Sequence, residues 1–465
     1  MTGCPARTKI CQLNKGWAMK KLIAYFAFLT LWSSGPAEAV IGTIDDVPAS
    51  TLLLPYFEVD LDDSNGVDTL FSINNASASA ALAHVTVWST WSIPVLDFDV
   101  YLTGFDVQSV NMRSILADGI LPHTASAGQD PTDTISNHRE ISQDISFANC
   151  NATLPYQIPA VSTTFRTHLA AVLTGKQSPV NGTCAGTNYG DNIARGYITV
   201  DVTNACSQLF PSDVGYFVSG GGGIGGNRNI LWGDYFYVNP GENFAQGETL
   251  VHIEADASLL GTPGEYTFYG RYVNGTAIDN REALATTFAA RYVTDGGFTG
   301  GTDLIVWRDS KFPPGATCAT GPNYGELFEQ KIVAFDEFEN PLTVVSGGPS
   351  GEPLPGALCM FCDEAQRVSV GRDGGIATNA DFGLLFLNLN HTTTLDATLG
   401  PSYINTAQAW VTVVTSAAGR FSVGFDATPL DNVSTPNTEF FCERFGCAPG
   451  CGRTFCECFG GAPWC

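Results

Sequence analysis

Residues 51–74, TLLLPYFEVDLDDSNGVDTLFSIN, decide the fold class. Two apolar segments, 51–61 and 67–74, flank a short polar stretch that contains Asn65-Gly66. Asn-Gly readily adopts the positive φ angles that tight turns between antiparallel strands need. The stretch therefore predicts a β-hairpin.

The same pattern of short strands and polar turns recurs along the rest of the chain. Segments of 4–10 residues with alternating or continuous apolar character recur, for example at 81–90, 95–103, 196–202 and 266–273, whereas long 3.6-residue periodicity is nearly absent. Only residues 113–118 predict a helical turn. These patterns predict an all-β fold of antiparallel β-sandwich type.

A repeated spacing indicates two related domains. Trp88 precedes Pro94 by the same interval that separates Trp307 from Pro313, and each Trp follows a valine. The chain of 465 residues also exceeds what one hydrophobic core usually supports. The predicted domains are a sandwich at 40–275, with an irregular polar insertion at about 122–190, and a second sandwich at 280–435.

The N-terminal end of the chain carries a sorting signal. Residues 1–39 combine a basic segment, an apolar run at 22–32 and the small-x-small sequence Ala37-Glu38-Ala39, which together predict a cleaved signal peptide. A start at Met19 would leave a complete signal as well, so the true start codon stays open. No later run is long enough for a transmembrane anchor. We therefore expect a secreted protein, located outside the cell, on its surface or in a periplasm.

Cysteine usage agrees with an oxidising compartment. Twelve cysteines follow the predicted signal, an even number that favours disulfides in an exported chain. Residues 440–465 hold six of them with little apolar material, which predicts a small disulfide-stapled tail. The disulfide candidates are Cys150, Cys184, Cys206, Cys318, Cys359, Cys362, Cys442, Cys447, Cys451, Cys456, Cys458 and Cys465, and their pairing is left open by the sequence.

The charge balance excludes one class of partner. The chain holds 22 Lys and Arg against 46 Asp and Glu, a net charge of −24. A surface this acidic repels phosphate backbones, so nucleic acid is not an expected partner.

One acidic turn offers oxygen ligands of the kind calcium prefers. Its spacing does not match an EF-hand loop, because the twelfth position counted from Asp60 is Phe71. A calcium site and a solvated turn are both compatible with the pattern. The candidate metal ligands are Asp60, Asp62, Asp63 and Asp68.

Signatures of catalysis are weak. The Cys-x-x-Cys at 359–362 lacks a βαβ context, and the glycine-rich 219–226 is not followed by a phosphate-binding Lys-Ser/Thr. His252, Glu254 and Asp256 share one strand face, as an acid/base cluster or as a polar outer face would. The sequence favours a protein without catalytic chemistry and without a cofactor, calcium being the exception.

Aromatic residues suggest a sugar-binding surface. Trp88 with Trp91, or Trp232 with Tyr235 and Tyr237, could stack on sugar rings while nearby Asp and Asn side chains bind hydroxyls. The alternative is that these rings belong to the sandwich cores.

The segments FSINNAS (71–77), HVTVW (84–88) and GYITVDVTN (196–204) resemble immunoglobulin-like β-sandwich modules of bacterial exported and surface proteins. The resemblance implies a sandwich fold and transfers no functional residue. We predict an exported extracellular or cell-surface protein with a structural, adhesive or interaction role, whose partner is a surface polysaccharide or a protein. Two alternatives stay open: a calcium-assisted carbohydrate-binding protein, and a secreted hydrolase with its site in the 122–190 insertion.

Overall fold

The computed structural model describes residues 47–122, 161–218, 223–256, 267–273, 278–294, 297–311, 316–322, 324, 327, 329–342, 345–346, 360–371, 375–391 and 408–430. All of them belong to one compact unit, Gly42–Cys465. The predicted signal peptide, residues 123–160 of the insertion and the Cys-rich tail lie outside the described residues.

The described strands of the first half form two sheets. Sheet 1 consists, in spatial order, of β10 (Val251–Ile253), β1 (Thr51–Asp60), β6 (Ile193–Thr203), β3 (Ala81–Ser89) and β4 (Pro94–Leu102). Sheet 2 consists of β5 (Val107–Asn111), β2 (Asp68–Asn75), β8 (Asp234–Asn239) and β9 (Phe244–Thr249), with β7 (Leu231–Trp232) also pairing with β2.

The described strands of the second half form two larger sheets and a small ribbon. Sheet 3 consists of β16 (Pro341–Leu342), β15 (Glu329–Asp336), β20 (Phe382–His391), β11 (Thr287–Val293) and β23 (Thr428–Pro429). Sheet 4 consists of β17 (Val345–Ser346), β19 (Ile376–Ala377), β18 (Ala365–Gly371), β12 (Gly301–Arg308), β21 (Ala409–Ala417) and β22 (Phe421–Asp426). The ribbon pairs β13 (Ala316–Thr317) with β14 (Gly321–Pro322). Among the described strands, β18 and β19 form the one parallel pair.

These sheets pack as sandwiches, which confirms the predicted all-β fold class. Sheets 1 and 2 bury their apolar faces in one core, and sheets 3 and 4 bury theirs in a second core. Sheet 4 is covered on both sides, because Leu304 and Val306 belong to the second core while Ile305 and Trp307 join the first. No described strand pairs across the two halves, and the domain boundaries at 40–275 and 280–435 stay predictions.

The predicted hairpin at 51–74 is wrong in its pairing, although both strands form. β1 pairs with β10 and β6 in sheet 1, whereas β2 pairs with β5, β7 and β8 in sheet 2. The turn between them therefore connects facing sheets. The Thr69 hydroxyl accepts from the Glu58 N–H at 3.0 Å and donates to the Glu58 carbonyl at 2.9 Å, which links the two sheets near this turn.

Helical structure is sparse in the described residues. The predicted turn at 113–118 is confirmed as a single π-type turn, Ser114–Asp118. The insertion contains an α-helix that the sequence reading missed, α1 (Thr163–Leu173), whose N-terminus is capped by the Ser162 hydroxyl. The strand predicted at 266–273 is also wrong, because its described part contains a 3₁₀ turn, Gly270–Tyr272.

One disulfide joins the two halves. Cys184 bonds to Cys318 across 134 residues of sequence. Cys206 and Cys362 are disulfide-bonded as well. The other eight candidate cysteines lie outside the described residues.

Candidate functional site

The four carboxylates predicted to bind calcium take separate partners in the structure. Asp60 Oδ1 accepts from the backbone N–H groups of Asp62 and Asp63, at 2.9 and 3.0 Å. Asp62 Oδ1 accepts from Asn192 at 2.7 Å, Asp63 Oδ1 accepts from the Asn65 N–H at 2.9 Å, and Asp68 Oδ2 accepts from Asn111 at 2.9 Å. The turn is thus held by protein donors.

The basic side chain of Arg113 reinforces this turn. Its guanidinium donates to the carbonyl oxygens of Asp60 and Asp63. Within the described ranges no group of three His, Cys, Asp or Glu side chains is placed to hold a metal ion. Calcium binding at the turn stays a prediction.

A buried polar row crosses sheet 1. Thr51, Asp201, His84 and Asp99 are direct cross-strand neighbours on β1, β6, β3 and β4, and all four are fully buried. Buried polar side chains are costly unless they are hydrogen-bonded. The contacts of Asp201 and His84 show how this row is accommodated.

Asp201 accepts hydrogen bonds from three hydroxyl groups. Its Oδ2 accepts from the hydroxyls of Tyr216 and Tyr269 at 2.6 and 2.9 Å, and its Oδ1 accepts from Thr51 at 2.5 Å. Arg281 Nε lies 3.4 Å from Oδ1. Three hydrogen bonds and this ion pair engage the carboxylate within the protein, so its role is to hold the segments that carry Tyr216, Tyr269 and Arg281 onto sheet 1.

His84 is oriented by Asp99 but contacts no nucleophile. Nδ1 lies 2.9 Å from Asp99 Oδ1, while Nε2 has no hydrogen-bond partner among the described residues and lies 4.0 Å from Asp97 Oδ2. Burial alone would lower the pKa of His84, but the carboxylates of Asp99, Asp97 and Asp201 raise it above its usual value. A general base of this type needs a nucleophile or a bound water at Nε2, and in the described part of the chain no Ser, Thr or Cys bonds to that atom. The contacts support a structural role.

A second acidic group lies where β10 leaves sheet 1. Ala255 pairs with Arg281 in an antiparallel bridge, so Glu254 stands opposite Glu282. Glu282 is 8% exposed, and its Oε2 has no hydrogen-bond partner within the described structure. Burial, followed by repulsion from Glu254 and Asp256, raises the pKa of Glu282 to about 8. His252 is itself buried, so the predicted polar outer face does not include it.

The aromatic residues proposed for sugar binding separate into buried and exposed sets. Trp88, Tyr235 and Tyr237 are buried in the first core. Trp91 is partly buried and donates to the Thr187 hydroxyl at 2.9 Å. Trp232, in contrast, is 42% exposed.

Phe236 is the aromatic partner that the sequence reading missed. Trp232 lies opposite Asn74 and Phe236 lies opposite Leu70 on the same neighbouring strand. Side chains four residues apart on a strand share a face, so both rings project from the outer face of sheet 2. Phe236 is 47% exposed.

Polar side chains lie between these two rings. Asp234 shares their face and accepts from the Ser72 hydroxyl at 2.6 Å, and Asn74 Nδ2 donates to the same hydroxyl oxygen at 2.9 Å. Asp234 Oδ2 accepts no hydrogen bond from a described residue, and Asn74 Oδ1 is buried without a partner in the described structure. We call Trp232, Phe236, Ser72, Asn74 and Asp234 the aromatic platform.

A glycine lets the Phe236 ring lie against the sheet. Gly247 of β9 is the cross-strand neighbour of Phe236, and a Cβ at this position would stand 2.5 Å from Phe236 Cε1. Such a contact is impossible for any larger residue without displacement of the ring. The ring therefore lies close to the backbone of β9 at Gly247, and about half of the side chain stays exposed to solvent.

The 122–190 insertion supplies little of a hydrolase site in its described part. His168 on α1 lies 2.8 Å from the Ser178 hydroxyl, and burial lowers its pKa. His123, His138 and Cys150 lie outside the described residues, so the hydrolase alternative stays a prediction.

No family model, no curated protein and no solved structure matches this chain. No helix in the described part of the chain is long and apolar enough to cross a membrane.

Proposed function

We propose that this chain is an exported carbohydrate-binding protein without catalytic activity, and that the aromatic platform of sheet 2 binds a neutral polysaccharide. The observation that carries the proposal is the shared exposed face of Trp232 and Phe236, with Asp234 between them. Ring faces give an apolar surface on which the C–H groups of a sugar pack, and the carboxylate between them accepts sugar hydroxyls. Adhesion to a surface polysaccharide agrees with the export that residues 1–39 predict.

The spacing of the platform indicates an extended occupant. Four residues of β-strand place the two rings about 13 Å apart along the sheet. One sugar ring is too short to contact both aromatic side chains. A straight glycan chain, as formed by β-linked neutral sugars, covers both rings and brings hydroxyls over Asp234.

The charge of the chain indicates that the glycan is neutral. The platform has one carboxylate and no basic side chain, and the protein carries a net charge of −24. Uronic-acid polymers would be repelled by such a surface at moderate ionic strength.

A co-sedimentation experiment with the native protein tests this proposal. We expect binding to insoluble cellulose or chitin at 150 mM salt and no binding to insoluble polygalacturonate. Equal retention on all three polymers, or on none of them, would overturn the proposal.

Mass spectrometry of the secreted protein should show a mature chain that begins near Val40.

A further inference from the structure

A cavity of about 330 Å³ lies between the two halves of the molecule, away from the aromatic platform. Its walls from the first half come from the end of β1 and from the turn between β8 and β9. Those from the second half come from β12, β18 and the turn between β21 and β22. Its size falls at the lower end of the range for small-molecule sites in proteins.

Two phenylalanines line this cavity. Phe244 comes from the first half and Phe421 from the second. Phe298 packs edge-on against Phe421, with ring centroids 5.7 Å apart and an interplanar angle of 89°. This contact fixes the position of the Phe421 ring, which is 52% exposed.

The charged lining is dominated by carboxylates. Glu58, Glu242 and Asp303 line the cavity together with one cation, Arg367. Arg367 donates to Glu58 Oε2 at 3.0 Å and to Asp303 Oδ2 at 2.6 Å, so its donors are already engaged by two of the three carboxylates.

A second cation, Arg195, does not reverse this excess. Arg195 lies 3.4 Å from Glu58 Oε1, but it also forms an ion pair with Asp191 at 2.7 Å. Glu242 forms no ion pair with a described Lys or Arg. The cavity therefore keeps a negative potential next to two aromatic side chains.

From this combination we infer that the cavity binds a small organic ammonium compound. The ammonium group is attracted to the carboxylates of Glu58, Glu242 and Asp303, and the carbon body packs against Phe244 and Phe421. Aromatic ring faces attract cations in addition to their apolar contact. An anion of the same shape meets the same carboxylates and is repelled, whereas a neutral analogue keeps only the apolar contact. This inference is independent of polysaccharide binding.

Three probes of similar shape and different charge test the inference with the native full chain. They are phenethylamine, 2-phenylethanol and phenylacetate, measured by isothermal titration calorimetry at 50 mM salt. We expect saturable binding of phenethylamine, at least tenfold weaker binding of 2-phenylethanol, and no binding of phenylacetate. Equal affinity for all three, or no saturable binding of phenethylamine, would overturn the inference.

A matched pair of variants locates the binding. Glu242→Gln removes one lining charge from an exposed turn, whereas Glu337→Gln removes an exposed charge from the turn after β15. We expect Glu242→Gln to weaken phenethylamine binding at least threefold and Glu337→Gln to leave it unchanged. In the native protein, raising the salt concentration to 500 mM should weaken binding as well. Unchanged binding in Glu242→Gln, or no salt dependence, would refute the assignment to this cavity.

Discussion

Trp232 and Phe236 project from the same exposed face of sheet 2, and Asp234 lies between them on that face. Below them the same sheet buries Tyr235 and Tyr237 in the first core. Sheet 2 thus uses one face for stability and leaves the other as an aromatic surface with polar groups at its centre. The proposed recognition of a neutral glycan depends on this division.

The close contact of Gly247 with the Phe236 ring gives a first prediction. Gly247→Val should push the ring off the backbone of β9 and weaken cellulose binding at least threefold, with little change in melting temperature. Ala245→Val, an exposed position two residues away on β9, is the matched control and should bind as the native protein does. Equal binding by both variants would contradict a role for the ring's orientation.

A second prediction concerns the carboxylate between the rings. Asp234→Ala removes the acceptor for sugar hydroxyls, and a hydrogen bond to a charged group contributes about 1.5 to 3 kcal/mol. We therefore expect a loss of at least tenfold in affinity for cellohexaose by calorimetry. Glu337→Ala serves as the control for general loss of negative charge. If Asp234→Ala binds cellohexaose as tightly as the control, the carboxylate does not contact the sugar.

A third prediction follows from Glu282. Its pKa of about 8 in the folded state exceeds the ordinary value of 4.5, so the folded protein holds this proton more tightly than the unfolded chain. The associated stability is fully present below about pH 4.5 and is lost as the pH rises through about 8. We expect Glu282→Gln to unfold near the native midpoint at pH 5 and to be more stable at pH 9, by on the order of 3 kcal/mol. Urea unfolding at both pH values measures this difference. Parallel pH dependence in the two proteins would show that Glu282 does not cause it.

The disulfide between the two halves supports a fourth prediction. Cys184 and Cys318 close a loop of 134 residues, and the chain-entropy model assigns such a loop about 5 kcal/mol. The double variant Cys184→Ala, Cys318→Ala should lose about 2 to 5 kcal/mol in free energy of unfolding. Using the double variant in place of a reductant leaves the other disulfides intact. An unchanged urea midpoint would mean that the halves are held together without this bond.

Local sequence patterns predict where the strands lie but not which strands pair with each other. The sequence predicts the apolar runs of β1 and β2 to within a few residues, because alternation and the Asn-Gly turn are local signals. The predicted pairing of β1 with β2 is wrong because both edges of β1 are taken by strands that are distant in sequence, β6 and β10. These neighbours also bury nearly all of β1.

The aromatic platform, too, is only partly predictable from local sequence patterns. Alternation already separates Phe236 from Tyr235 and Tyr237, but aromatic rings on both faces hide which face is exposed. The role of Gly247 depends on its register opposite Phe236, which no local pattern specifies. The sequence likewise does not predict the buried ion pair of Asp201 with Arg281. The two residues lie 80 positions apart and meet only because the segment that carries Arg281 packs on sheet 1.

Glycan binding by the aromatic platform is tested most directly by the affinity of Trp232→Ala for cellohexaose, compared with that of the native protein. The control is Phe338→Ala, which removes an exposed ring from a turn in the second half. Truncation of an aromatic anchor commonly costs 2 kcal/mol or more, so we predict a loss of about thirtyfold or greater for Trp232→Ala and none for Phe338→Ala. Equal affinity of all three proteins for cellohexaose would contradict carbohydrate recognition by the aromatic platform.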